Sequence, residues 1–423
     1  MSLESLKKDV SAIVDSMKAE LLAASHGIHQ EPELALEEFK AAKRLSDAVE
    51  QHDIKVERGA FGVETAYAAE FGDKGPTVAI LSEYDALPGV GHACGHNIIA
   101  TTGLGATLAL AKLGAKLPGR VRYLGTPAEE RFGGKEIIAR EGAFDGVDVA
   151  MMIHPSNLNL ATMPCIAISE VEVTYHGRAA HAAAMPYRGL NALDAVVTAY
   201  QSIAQLRQHI KQSERLHGII TEGGLAANIV PERAACRFYV RALDIHELGE
   251  LKKRVHQCFE GAAMATGTTA DIKWGNTDYL DMKTNWPVAD AFMKNAEGLG
   301  REFFPVKEIP HGFAGSTDMG NVSHRMPSIH PMLAVAPAGV IIHNAEFAKW
   351  AASDKGDHAV IDGAKALAFT ALDVMSDRAL LDTMKNDFEA TRDISKAALA
   401  KLMENHPDDH HHAHAHGGGC GCM

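Results

Sequence analysis

Apolar positions recur at intervals of three and four from Ser2 to about Ala24 and again from Leu34 to Val49, with Pro32 between, which predicts two amphipathic helices. The period then changes. TVAILS (Thr77 to Ser82), VRYLGT (Val121 to Thr126) and VDVAMMI (Val147 to Ile153) are short, nearly continuous apolar runs. Such runs suit strands covered on both faces, as in a parallel sheet. The intervening segments, IIATTGLGATLALAKLGA and GGKEIIAREGAF, have helical patterns long enough to cross over between parallel strands. The first third is therefore expected to be α/β.

At Ile166 the pattern becomes an alternation, IAISEVEVTYHG. A helical stretch from about Leu190 to Ile210 follows, then strand-like HGIITEGG and ERAACRFYVRA, a helix from His246 to Met264, and TADIKWG. That order, βαββαβ, is a split βαβ sandwich and reads as an insertion. SIHPMLAVAP then resumes a strand of the first kind, and a helical pattern runs from about Asp362 to His406. The expected organisation is a first domain made of residues 1–165 and 279–406, an inserted domain over 166–278, and a tail over 407–423. The tail lacks apolar content and is expected to be disordered. Its histidines, with Cys420 and Cys422, have the chemistry to bind borderline metal ions, so metal buffering is a non-enzymatic alternative.

Composition narrows the partners. A formal net charge of -13 on 423 residues argues against nucleic acid, whose phosphates call for concentrated lysine and arginine. No apolar run reaches a membrane span, and the N-terminal stretch mixes charges among its apolar residues, unlike a signal peptide. The expectation is a cytoplasmic protein acting on a small molecule. Six cysteines without a secretion signal read as thiols or metal ligands before disulfides; Cys165, Cys236 and Cys258 sit in apolar contexts and read as core.

The candidate chemistry clusters after the apolar runs. TVAILS leads to Glu83 and Asp85, VRYLGT to Glu129 and Glu130, and VDVAMMI to His154. Ligands in open α/β sheets bind beyond the carboxyl ends of the strands, so these groups are expected to share one site. GVGHACGHNII adds His92, Cys94 and His96 just before a helix start, where the helix N-terminus favours a thiolate or an anion. Taken alone, that cluster fits a metal site and a tight turn with a buried thiol equally. His343, in VIIHNAEF, also follows a strand-like run and could complete a ligand set, while Asp85 suits a carboxylate that orients a ligand. Glu83 could ligate or simply hydrogen-bond. The insert carries His181 in a small-residue loop and Asn228 in a turn between two strands.

Together and in order, HGIHQEPELALEE, SEYDALPGVGHACGHN, GTPAEE, AMMIHP, YHGRAAHAAAMPYRGLNA, GGLAANIVP, GSTDMGNVS and HNAEF resemble metallopeptidase family M20, the aminoacylase and carboxypeptidase family. The branch is similar to aminobenzoyl-glutamate hydrolases and auxin-conjugate amidohydrolases. The resemblance implies a zinc-peptidase-like α/β catalytic domain with a mostly parallel central sheet, plus an inserted ferredoxin-like α+β domain serving as lid and dimerisation surface. It implies metal ligands at Cys94, His96, Glu130, His154 and His343, a catalytic base at Glu129 supported by Asp85, and substrate contacts at Asn228, Ser316 and Thr317. His181 matches a histidine that, in relatives, steadies the oxyanion in a second subunit's site, hence a homodimer or higher homo-oligomer. Two departures stand out: Glu83 occupies a position where other branches carry a histidine ligand, and HNAEF lacks the proline many relatives have after the histidine.

The implied activity is hydrolysis of a C–N amide bond in a small carboxylated N-acyl amino acid, aromatic ones included, or dipeptide, using water activated by one or two divalent ions. Manganese or zinc is expected first, with cobalt or nickel also compatible with the donor set. An alternative within the same resemblance is an aminohydrolase that releases ammonia from an aromatic amine such as 5-nitroanthranilate.

Overall fold

Three helices lead the chain, α1 (Leu3–Ser16), α2 (Lys18–Gln30) and α3 (Phe39–Gln51). The single opening helix expected from the periodicity is thus two. Met17 breaks it, with φ -96° and ψ 5°. Val10, Val14, Leu21 and Ile28 feed the same core on both sides of the break, so the apolar pattern runs straight through it. The next helix begins only at Phe39, because residues 34–38 turn instead, Leu36 adopting φ 65°. Its first N–H groups are capped from outside, by the Glu33 carboxylate on Lys40 and Ala41 at 2.9 Å.

The computed structural model describes residues 2–305 and 315–406, and these fall into two units. The first unit continues with β1 (Val56–Arg58), β2 (Tyr67–Phe71), β3 (Thr77–Ser82), α4 (His96–Ala111), β4 (Arg120–Gly125), α5 (Gly134–Arg140), β5 (Val149–Met151) and β6 (His154–Ser156). The second, beginning at Cys165, holds β7 (Ala167–His176), α6 (Ala192–Leu206), β8 (Arg215–Glu222), β9 (Arg233–Ala242), α7 (Ile245–Thr266) and β10 (Thr269–Trp274). The chain then returns to the first unit with α8 (Trp286–Glu297), α9 (Met319–Ser323), β11 (Ser328–Ile329), β12 (Met332–Ala334), α10 (Ala345–Trp350), α11 (Asp354–Ser376) and α12 (Arg378–Glu389). A last helix, α13 (Arg392–Asn405), belongs to the first unit up to Lys396 and to the second from Ala397. The tail over 407–423 lies outside the described residues.

In the first unit a mixed six-stranded sheet runs β1-β2-β4-β3-β5-β11. The pairs β4-β3, β3-β5 and β5-β11 are parallel, and β2 is antiparallel to both neighbours. The apolar run at 147–153 yields β5 and is followed at once by β6, and the run at 328–336 divides into β11 and β12. β5 and β11 stay in the main sheet, while β6 and β12 form a separate parallel pair, with Met332 opposite His154. Proline, lacking an N–H, stands next to the second break at Pro331. Helix α4 is buried from His96 to Leu110 and packs on α11 and β3. A Cβ at Gly103 would lie 2.3 Å from Ser82 Oγ, so glycine lets α4 ride directly on β3 and brings its first residue over the strand ends.

The second unit is an antiparallel sheet, β10-β7-β9-β8, carrying α6 and α7 on a core that includes Val171, Val173, Tyr175, Phe238 and Phe259. The alternation along β7 gives one face to this core. Among the described residues no helix is long and apolar enough to cross a membrane.

Within this unit Asp278 is fully buried and accepts from Lys252 Nζ at 2.8 and 3.0 Å and from Asn405 at 3.0 Å, with His406 Nε2 at 3.3 Å. Burial alone would raise its carboxyl, but Lys252 and His406 hold it well below the usual range. A depressed folded value means the stabilisation is complete above the ordinary carboxylate pKa of about 3.9 and is lost as pH falls through the folded one. Asp278→Ala strands the part-buried Lys252 beside a vacated interior position, and urea unfolding followed by circular dichroism at neutral pH should register a loss of about 3–5 kcal/mol. A loss below about 1 kcal/mol would contradict this reading of the cluster.

Candidate active site

The order β4-β3-β5 puts three parallel strands side by side, and their carboxyl ends deliver Glu129 and Glu130, Glu83 and Asp85, and the turn into His154. Cys94 and His96 arrive over the same edge at the start of α4. Gly95 between them adopts φ 79°, and a Cβ there would meet Pro155 Cγ at 2.6 Å, so only glycine fits the connection. Position 154 is the first residue of β6, so ladder pairing with β12 fixes this histidine.

His96 is fully buried. Its Nδ1 bonds Asp85 Oδ1 at 2.9 Å, and its Nε2 faces Glu83 Oε2 at 3.6 Å, Glu130 Oε1 at 3.7 Å and Glu129 Oε2 at 3.9 Å. Those three separations are too long for hydrogen bonds. His96 Nε2, Glu83 Oε2 and Glu130 Oε1 are buried without any hydrogen-bond partner. Buried polar atoms in native proteins are paired almost without exception, so a shared focus of orphaned donor atoms fits a cation. His154 donates Nδ1–H to the Pro155 carbonyl at 2.7 Å, which leaves its Nε2 lone pair facing Cys94 Sγ at 3.3 Å. The ligand atoms of Cys94, His96 and His154 lie within 4.8 Å of one another, as do those of Cys94, Glu130 and His343, and those of Glu83, His96 and Glu129. Thiolate, imidazole and carboxylate donors together suit a borderline divalent ion. Glu129 stands in the third group, so its position alone is compatible with a ligand or a base.

Charge tells the same story. Burial, then the Glu83, Glu130 and Asp318 carboxylates, push Glu129 well above its ordinary value, and burial raises Glu130 to about 7. Burial and the Glu130 charge raise the Cys94 thiol. Burial would lower His96, but Cys94 and Asp85 outweigh it and raise the ring well above its ordinary value. His154 is depressed by burial and by His330 and His96. Several acids meet here around little positive charge, and a divalent ion would supply the charge that balances them.

The remaining expected residues are placed as follows. His343 is half exposed, in a left-handed conformation at φ 68°, with its N–H on the Ala93 carbonyl at 2.8 Å and its Nε2 3.7 Å from Glu130 Oε1. Thr317 is buried and its Oγ1 accepts from Met319 N at 3.1 Å; Ser316 is partly exposed beside it. His92 is buried next to His29, ring centroids 6.1 Å apart, and belongs to none of the three ligand groups. In the second unit, backbone bonds from Ala182 N to Asn228 O and from Val230 N to Ala180 O, both 3.0 Å, zip the loops of His181 and Asn228 together. His181 Nδ1 accepts from Ala183 N and Ala184 N at 3.2 and 3.1 Å, so its neutral ring presents Nε2–H as a donor to solvent.

Four residues at this edge, Lys135, Asp318, His330 and Glu38, carry no clear mark in the sequence. Lys135 is fully buried; its Nζ bonds Glu83 Oε1 and Asp318 Oδ1, and its backbone N–H bonds Asp318 Oδ2 at 2.9 Å. His330 is buried edge-on to His154 at 5.4 Å between ring centroids. Glu38 is buried, with Oε1 accepting from Ala128 N at 2.8 Å, and burial together with Asp85 raises it to about 7. Their signals are faint: a lysine after a glycine pair, an aspartate after Ser316 and Thr317, a histidine inside an apolar run, and one glutamate among several.

Residues 79–368 match the model of peptidase family M20/M25/M40. The chain is 41% identical over 409 residues to the Xaa-Arg dipeptidase of Mus musculus, covering 92% of this chain and 93% of that protein. It is 27% identical to one of the subunits of p-aminobenzoyl-glutamate hydrolase from Escherichia coli (strain K12), covering 86% and 91%. Among solved structures, the aminobenzoyl-glutamate utilization protein from Klebsiella pneumoniae matches with a TM-score of 0.68 at 18% identity over 87% of this chain and 99% of that one. A dinuclear metal-binding M20 peptidase from Bacillus subtilis matches with a TM-score of 0.60 at 21% identity, over 85% and 99%. At those identities the two structures establish the fold.

Because protons on Cys94 and Glu130 must leave for a cation to bind, divalent metal uptake is expected to weaken as pH falls from about 8 to about 6 and to release protons. Calorimetric titration in two buffers of different ionisation enthalpy, with Cys94→Ser as the reference, measures both. Affinity independent of pH would contradict the assigned donors.

Proposed function

The chain belongs to peptidase family M20/M25/M40 and is a metal-dependent hydrolase of C–N bonds; from that premise we propose that it cleaves dipeptides whose C-terminal residue is basic. The observation that carries this reading is the 41% identity, along nearly the whole of both chains, to a protein that acts as an Xaa-Arg dipeptidase. Residues 1–165 and 279–406 serve as the catalytic domain, and 166–278 as the lid through which two copies pair in the cytoplasm.

In this scheme Cys94, His96, Glu130, His154 and His343 hold one or two divalent ions, zinc or manganese first. Bound there, the metal supplies Lewis acidity, lowering the pKa of water and polarising the scissile carbonyl. Asp85 keeps the His96 ring oriented by holding its Nδ1 proton. Glu129 takes a proton from the attacking water and delivers it to the departing nitrogen. His181, with Nε2–H as donor, steadies negative charge on the carbonyl oxygen in the site of a second copy. Asn228, Ser316 and Thr317 orient the substrate carboxylate and backbone.

A second reading, hydrolysis of an N-aroyl amino acid, is favoured by the similarity to the p-aminobenzoyl-glutamate hydrolase. A kcat/KM comparison across Xaa-Arg, Xaa-Lys and Xaa-Glu dipeptides, p-aminobenzoyl-glutamate and an aminobenzoate separates the readings. Preference for basic dipeptides by about tenfold or more is expected; preference for the aroyl-glutamate supports the second reading, and free ammonia from the aminobenzoate points to an aminohydrolase. Glu129→Gln is expected to keep its metal and lose about 10²–10⁴-fold in kcat. Normal turnover in that variant would remove Glu129 from the base role.

A further inference from the structure

We infer that Glu38, 91 residues before the proposed base in sequence, is a positioning residue that fixes where the Glu129 carboxylate points. The inference rests on the reading of Glu129 as base.

Glu38 stands at the N-terminal boundary of α3, where a side chain ordinarily caps its own helix. It makes no capping bond. Glu33 performs that task instead, through Lys40 N and Ala41 N, and the Glu38 side chain turns inward. There it is completely buried, and its Oε1 accepts the backbone N–H of Ala128 at 2.8 Å.

Ala128 is held in a left-handed conformation, φ 61°, which a residue with a β-carbon adopts only against steric resistance. Its carbonyl accepts from Gly133 N and Gly134 N at 3.2 and 3.3 Å, closing the loop behind it. On the far side of Glu129, the N–H of Glu130 donates to Asp85 Oδ2 at 2.9 Å. The proposed base is therefore bracketed: the amide before it and the amide after it are each gripped by a buried carboxylate, one from α3 and one from the turn after β3. Strained backbone persists only where its surroundings enforce it, and Glu38 is the group that enforces it here. Releasing Ala128 would let the loop relax toward right-handed or extended backbone and swing Glu129 away from His96, whose Nε2 it now faces at 3.9 Å.

The test uses the full-length, metal-loaded enzyme. Glu38→Ala is expected to lower kcat about tenfold or more, the scale on which a misplaced catalytic group costs rate, with KM within about twofold and bound metal unchanged. Glu38→Gln keeps an oxygen acceptor for Ala128 N–H and is expected to recover kcat to within about threefold. Glu38→Met keeps the length without the acceptor and should behave like Glu38→Ala, which covers the case where alanine impairs folding. In a Glu129→Gln background, Glu38→Ala should have no further effect, because a residue acting through Glu129 loses its influence once the base is gone. Wild-type kcat in Glu38→Ala or Glu38→Met, a Glu38→Gln enzyme as impaired as those, or full additivity in the double variant would overturn the proposal. An active Glu129→Gln enzyme would instead overturn the base assignment, so the two failures are distinct.

Discussion

The Asp85 carboxylate accepts the Nδ1 proton of His96 with one oxygen and the backbone N–H of Glu130 with the other, and so ties the start of α4 to the loop after β4. Both bonds lie in the dry interior, where an ionised group with two good partners is strongly directional. One sets the orientation of an imidazole. The other sets the backbone that carries the two glutamates opposite it. Burial would raise Asp85, yet His96 and the Glu130 N–H keep it ionised, so both grips persist at neutral pH.

Around that anchor the first unit concentrates acids that a protein interior ordinarily avoids. Glu83, Glu129, Glu130 and Asp318 approach one ring nitrogen and one lysine ammonium, and folding must supply the free energy to hold them there. The lysine offsets part of the repulsion by binding Glu83 and Asp318. This bears on position 83, where the sequence resemblance implies a histidine in other branches of the family: here the residue is a carboxylate, and the chain supplies a buried cation on its far side. Glu83 therefore has one oxygen committed to Lys135 and one turned toward His96. A divalent ion held there would relieve the remaining imbalance and so couple metal affinity to the stability of this edge of the sheet.

Much of the fold was legible because burial leaves a plain record in sequence. β3 is a nearly continuous apolar run and β4 one interrupted only by arginines, β7 and β9 alternate, and each carries its pattern whatever surrounds it. β1 and β2 were missed, being short and mixed in composition at the antiparallel side of the sheet. The divisions between β5 and β6 and between β11 and β12 were hidden by apolar runs that continue across the bends. At the site, Cys94, His96, Glu130 and His154 could be proposed because each follows a recognisable strand or opens a helix. Glu38 and Lys135 could not. Their importance lies in partners far along the chain, Ala128 for one and Glu83 and Asp318 for the other, and nothing local to either residue encodes those contacts.

On this account the orphaned His96, Glu83 and Glu130 atoms at the strand ends, together with the Cys94 sulfur beside them, form a divalent metal centre. Cobalt(II) titration of the metal-stripped, full-length protein reads that sulfur directly, through thiolate-to-cobalt charge-transfer absorption. A band that saturates with added cobalt in the wild type and is absent in Cys94→Ser is the expected result. No band in the wild type, or an undiminished band in Cys94→Ser arising from other cysteines, would contradict it.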